Sequence, residues 1–128
     1  MILLALAMTA ADFDALDAAV QRCDRAAVNP VFAGEAERHS QFVSIAYREQ
    51  ESIVADRLDI ANRKRALRDA ETMAVKGGDS MAALDLLGLA IEDRQRALND
   101  RRMLEGLRGE AMDAKRRYYL ARCANGKE

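Results

Sequence analysis

The sequence predicts an all-α protein, a long antiparallel two-helix coiled-coil hairpin with a shorter N-terminal helix packed on its base. Half of the 128 residues are apolar, only six are aromatic, one is Pro and 32% are charged, which is the composition of long helices. Phe32, His39, Ala46, Ile53, Ile60, Leu67 and Ala74 recur at seven-residue intervals, as they do along the seam of a paired helix. Gly77-Gly78 then offers the place where such a helix ends and the chain turns back. The spacing predicts one helical domain over 12–128, with helices at about 12–28, 30–76 and 80–123.

Residues 1–11, MILLALAMTAA, are apolar on every side of a helix and close on small residues. They read as the end of a secretory signal peptide with its cleavage site at Ala10 or Ala11. The run has no basic flank, as would follow if translation began upstream of Met1. The other reading makes Leu3, Leu6, Ala10 and Phe13, spaced by three and four, the start of the first core helix. Either way the run is shorter than a membrane-spanning helix requires.

Asp12 is the expected N-cap of the first helix, whose inner stripe is Phe13, Leu16, Val20, Cys23 and Ala27. Asn29-Pro30 combines a capping residue with the residue type favoured at the first helical position, so the first turn is expected there. Gly34 weakens the second helix by about 1 kcal/mol relative to Ala. Asp79 or Ser80 caps the third helix. Its inner face is expected at Leu84, Leu87, Ile91 and Leu98, continuing with a one-position shift at Leu104, Leu107, Ala111, Ala114, Tyr118 and Ala121, the drift of a helix with about 3.6 residues per turn.

With the bend at Gly77-Gly78, facing residues have numbers summing to about 155. From Glu35 to Asp59 six acidic side chains accompany three basic ones, and from Arg94 to Arg122 nine basic accompany four acidic. Nearer the bend the signs reverse, with Arg63, Lys64 and Arg65 level with Glu92 and Asp93. Charge complementarity of this kind selects an antiparallel partner, although each exposed pair contributes only about 0.5 kcal/mol. The same register brings Cys23 and Cys123, the only two cysteines, within about one helical turn, 5.4 Å, of each other along the axis. A disulfide is therefore expected, of the kind that persists in an oxidising compartment. The alternative is two buried thiols in a cytoplasmic protein.

No pattern for catalysis, a cofactor or a metal emerges. His39 is the only histidine, which excludes sites built on two, and Glu35, one turn away, is its expected hydrogen-bond partner. Gly77-Gly78 follows no strand and reads as a turn rather than a phosphate cradle. The basic runs NRKRALR (62–68) and AKRRYYLAR (114–122) are expected to face acidic residues of the paired helix. With a net charge of −1 the chain lacks the electrostatic footprint of a nucleic-acid binder.

One surface is left over. With Leu84, Leu87 and Ile91 inward, Leu86 and Leu89 point elsewhere with Ala82 and Ala90 between them. Met73, Ala66 and Ala70 add apolar area across the bend. A patch of this kind marks an interface, either with a second copy of the chain or with another protein. The shape is similar, in architecture and in no sequence motif, to the paired-helix arms of periplasmic holdase chaperones of the Skp type. The expectation is a non-enzymatic exported protein, periplasmic or secreted, that binds proteins as a scaffold, adaptor or chaperone-like module. The alternatives are a cytoplasmic coiled-coil subunit of a larger complex and an enzyme or cofactor-binding bundle.

Overall fold

The computed structural model describes residues 10–72 and 80–124. The expectations for residues 1–9, Met73, Ala74, Gly77, Gly78 and Asp79 lie outside the described residues. Three helices are present and, among the described residues, no strand: α1 (Ala10–Gln21), α2 (Arg25–Thr72) and α3 (Met81–Cys123). The chain divides into two compact units, 1–43 with 104–128, and 44–103.

The first turn is not at Asn29-Pro30. The chain reverses at Arg22–Asp24, and Pro30 lies inside α2. Two interactions place the turn. Cys23 N–H donates to Val20 O (3.1 Å) and Asp24 N–H to Ala19 O (3.0 Å), the paired bonds that close a helix around a left-handed residue. Cys23 takes that conformation, at φ 52°. Asp24 then caps α2, its Oδ1 accepting from Ala27 N–H at 3.2 Å, so one residue ends one helix and starts the next. Asp12 lies within α1 rather than at its cap, and Ala27 belongs to α2 and is exposed.

In the first unit α1 packs on both longer helices. Leu16, Ala19 and Val20 meet Val28 of α2 and Met112, Tyr119 and Cys123 of α3, with Phe13, Cys23, Val31 and Phe32 around them. Phe32 and Tyr119 are tilted rings 6.1 Å apart. Polar ties follow the same line: Arg122 donates twice to Gln21 O (3.1 and 3.0 Å), satisfying a carbonyl at the end of α1 that has no helical donor. The Phe13 ring lies 5.5 Å from the Arg108 guanidinium and 5.2 Å from Lys115 Nζ, close enough for cation–π attraction.

In the second unit α2 and α3 run antiparallel. Ile53, Ile60, Ile91 and Leu98 form the core, with Ala46 against it. Gln50 and Gln95 exchange amide hydrogen bonds at 2.8 Å each. Arg94 donates to Glu49 (3.1 Å), Asp56 (2.6 Å) and Ser52 Oγ (3.0 Å). Ser80 caps α3, its Oγ accepting from Ala83 N–H at 3.1 Å.

The register differs from the expected one. In the second unit Glu49 pairs with Arg94, Gln50 with Gln95, Arg57 with Glu92 and Lys64 with Asp85, so facing numbers sum to about 143 to 149 rather than 155. Arg63 pairs with Asp59 of its own helix. The expected shift along α3 is also absent. Its buried positions are Leu84, Ile91, Leu98, Glu105, Met112 and Tyr119, a repeat of seven, followed at the helix end by the bridged Cys123. A repeat of seven keeps one line of side chains toward a partner when the helix is wound at about 3.5 residues per turn. Leu104 is consequently 61% exposed, and Leu87, Leu107 and Tyr118 are exposed as well, as are Ala114 and Ala121. On α2 the predicted seam holds at Ile53 and Ile60, with Phe32, Ala46 and Leu67 half-buried, whereas His39 is exposed.

Candidate functional site

The two cysteines come together as the sequence predicts. Their sulfurs lie 1.98 Å apart and their Cα atoms 5.6 Å apart, across a sequence separation of 100, the spacing of a disulfide. Cys23 sits in the α1–α2 turn and Cys123 at the end of α3, so the pair joins all three helices within the first unit. A closed loop of that length removes enough freedom from the unfolded chain to stabilise by up to about 4 to 5 kcal/mol in the chain-entropy account.

The same unit holds a cluster that sequence reasoning does not find. Glu105 occupies a core position of α3 at 8% exposure, and the chemistry around it explains how a carboxylate is tolerated there. The Arg38 guanidinium donates to it from Nη1 (3.0 Å to Oε2) and from Nη2. His39 Nδ1 lies 2.9 Å from Glu105 Oε1, so the histidine pairs with Glu105 and not, as expected, with Glu35. Glu35 instead accepts from Arg38 Nε and Nη2 (3.2 and 2.9 Å) and from Arg108 Nε and Nη2 (3.2 and 3.0 Å). A buried charge is costly unless its lone pairs are met in this way.

Burial by itself would raise the Glu35 carboxyl, but the Arg38 and Arg108 hydrogen bonds and charges bring its pKa down from 4.5 to about 2. Burial likewise opposes ionisation of Glu105, and Arg38 with His39 lowers it below the ordinary carboxylate range. Burial disfavours the charged form of Arg38, which the two glutamates raise. The cluster is a fixed, ionised bridge between α2 and α3. Its carboxylates are held as anions at neutral pH, a state suited to holding helices in place. Among the described residues no group of three or more His, Cys, Asp and Glu is placed to hold a metal ion.

In the second unit the predicted apolar residues are at the surface. Leu86 is 68% and Leu89 61% exposed, and Ala82 and Ala90 are exposed with them. Leu87, expected inward, is 43% exposed and enlarges the patch. Across from them Ala66 is exposed and Ala70 half-buried. No helix among the described residues is long and apolar enough to cross a membrane.

No protein-family model, curated protein or solved structure matches this chain. Function must therefore be argued from its own residues.

Sequence reasoning places Glu105 on the solvated surface, where charged helix residues ordinarily lie. The signal was present: Leu84, Ile91 and Leu98 continue by sevens to residue 105 before Met112 and Tyr119. Three places further on runs a second column, Arg94, Arg101, Arg108, Lys115 and Arg122. Four of these five reach a partner: Arg94 and Arg108 pair with carboxylates of α2, Lys115 with Asp17 of α1, and Arg122 with Gln21 O. Arg101 Nε is buried without a hydrogen-bond partner among the described residues.

Proposed function

We propose that the protein works by protein–protein binding and not by catalysis, as a scaffold, adaptor or chaperone-like module of an oxidising extracytoplasmic compartment. The observation that carries this reading is the exposure of Leu86 and Leu89 on a helix whose opposite face is already occupied by Leu84, Ile91 and Leu98. Ala82, Leu86 and Leu89 follow one another by four and three residues, the spacing of a face that receives another helix. The occupant proposed is an amphipathic helix of another protein, laid along this face. The compartment is supported by the cysteine pair at bonding distance, since such bonds persist where thiols are not kept reduced.

The test is site-specific photo-crosslinking in the native cell. A photoreactive residue at position 86 or 89 is expected to give one discrete adduct, identified by mass spectrometry as a single other polypeptide. The exposed control position Asp113 should not give it, and Leu89→Asp should abolish the adduct formed from position 86. No adduct at either position, or the same adducts at the control, overturns the binding site. The recovered protein should also weigh two hydrogens less than its fully reduced form. A fully reduced chain overturns the compartment.

A further inference from the structure

A second surface of the same unit points to an occupant by its charge. On α2, Tyr47, Glu51, Val54, Leu58, Ala61, Arg65 and Arg68 follow one another by alternating steps of four and three. At about 100° per residue these seven positions form one stripe, turned about 120° around the helix from the buried Ile53–Ile60 line. All seven are exposed, Tyr47, Val54 and Leu58 by half of their surface or more. Steps of three and four sustained over three heptads make a helix-pairing seam, and α3 already occupies a different face of α2.

The order of charges along this seam is not symmetric. Glu51 lies toward its N-terminal end and Arg65 and Arg68 toward its C-terminal end, with the apolar residues Val54, Leu58 and Ala61 between. Glu51 and Arg65 make no hydrogen bond or ion pair among the described residues, although most charged side chains of the core-facing columns do. Two copies laid parallel would stack Glu51 on Glu51 and Arg65 on Arg65. Inverting one copy about the level of Leu58 brings Glu51 opposite Arg65 and Arg68 of the second copy, twice by symmetry, with Leu58 against Leu58 and Val54 against Ala61. A two-fold interface requires a patch that complements itself in this way.

We infer that the α2 stripe from Tyr47 to Arg68 is a self-complementary interface, which pairs two copies of this chain antiparallel about Leu58. The inference extends the binding reading to a second face and does not depend on the α3 leucines. Homodimerisation through α2 leaves Ala82, Leu86 and Leu89 on the other helix, so each dimer carries two of the proposed partner faces.

Sedimentation equilibrium of the full chain tests it, with circular dichroism reporting that each variant remains helical. The wild type is expected to show a monomer–dimer equilibrium, and Leu58→Asp to be monomeric. Glu51→Arg and Arg65→Glu singly should each weaken dimerisation about tenfold, equivalent to about 1.4 kcal/mol. The double variant Glu51→Arg with Arg65→Glu should recover most of it, because the swapped charges again meet across the two-fold. A monomeric wild type, or single charge variants that dimerise as the wild type does, overturns the proposal. So does a double variant no better than the singles. Leu86→Asp with Leu89→Asp should leave the dimer constant unchanged while losing the partner adduct, which separates failure of this interface from failure of the α3 face. Loss of dimer in that variant overturns the assignment to α2.

Discussion

The Arg38 guanidinium rests on the Glu105 carboxylate, Nη1 3.0 Å from Oε2, at a position of α3 where only 8% of the glutamate is exposed. An apolar residue there would have continued the line of Leu84, Ile91 and Leu98. The ion pair is instead tied to one register, because only in that register do Glu35, Arg38, His39 and Arg108 all reach their partners.

Removing one side of this pair should cost more than removing both. Arg38→Leu leaves the Glu105 charge buried with His39 as its remaining partner, and the expected loss is about 3 kcal/mol. Arg38→Leu combined with Glu105→Leu replaces the charges with apolar packing while Glu35 keeps Arg108, and most of the loss should return. Urea unfolding of the wild type, both singles and the double measures the coupling. Additive single losses would show that the pair does not act as a unit.

Stability should fall in acid with a recognisable window. The folded-state pKa of Glu35 is lowered, so the unfolded chain binds a proton at higher pH than the native protein does. The contribution is fully present above the ordinary value near 4.5 and is lost as the pH falls toward about 2. Glu35 is 20% exposed; the full shift would correspond to about 3 kcal/mol, and solvent screening reduces the expected loss to about 2 kcal/mol. Glu105 shifts in the same direction. Urea midpoints measured between pH 6 and pH 2 check this, and Glu35→Gln should flatten the slope in that window.

Cys23 combines a left-handed backbone with a covalent link, and the two effects can be separated. Cys23→Ser with Cys123→Ser loses the loop constraint, with an expected cost of up to about 4 kcal/mol. Cys23→Gly with Cys123→Ser loses the same link but places at φ 52° the residue that adopts it without a Cβ penalty, and should be more stable than the first variant by about 1 kcal/mol. Thermal melting of the two variants decides this. Equal melting temperatures would mean that the turn carries no penalty at residue 23.

Gly106 lies inside α3 on its exposed side, and a Cβ added there meets nothing within 4 Å. Gly106→Ala should therefore stabilise the helix by about 0.5 to 1 kcal/mol. For a chain of this size that corresponds to a rise in melting temperature of about 2 to 5 °C. No rise would mean that the side of α3 at residue 106 is not open in solution.

Helix content, the order short–long–long, the burial of Ile53, Ile60, Ile91 and Leu98 and the meeting of the two cysteines were legible in the residues alone. All of them follow from periodicity along one chain and from the count of residues between turns. The exposed Leu86 and Leu89 were legible for the same reason, since a helix that buries Leu84 and Ile91 has no room for them on that side.

Tertiary structure decided the rest. Asn29-Pro30 is a strong local signal, yet the chain turns at Cys23 and Asp24, where one left-handed residue, two backbone bonds and a cap act together. Leu104, Leu107 and Tyr118 satisfy the spacing of a core stripe as well as Glu105, Met112 and Tyr119 do, and hydrophobicity alone favours the first set. Packing against α1 and α2 selects the second, because Arg38 neutralises Glu105 and because Met112 and Tyr119 face the cluster of Leu16, Val20 and Val28. Periodicity states that a helix has a buried face, and only its neighbours determine which face that is.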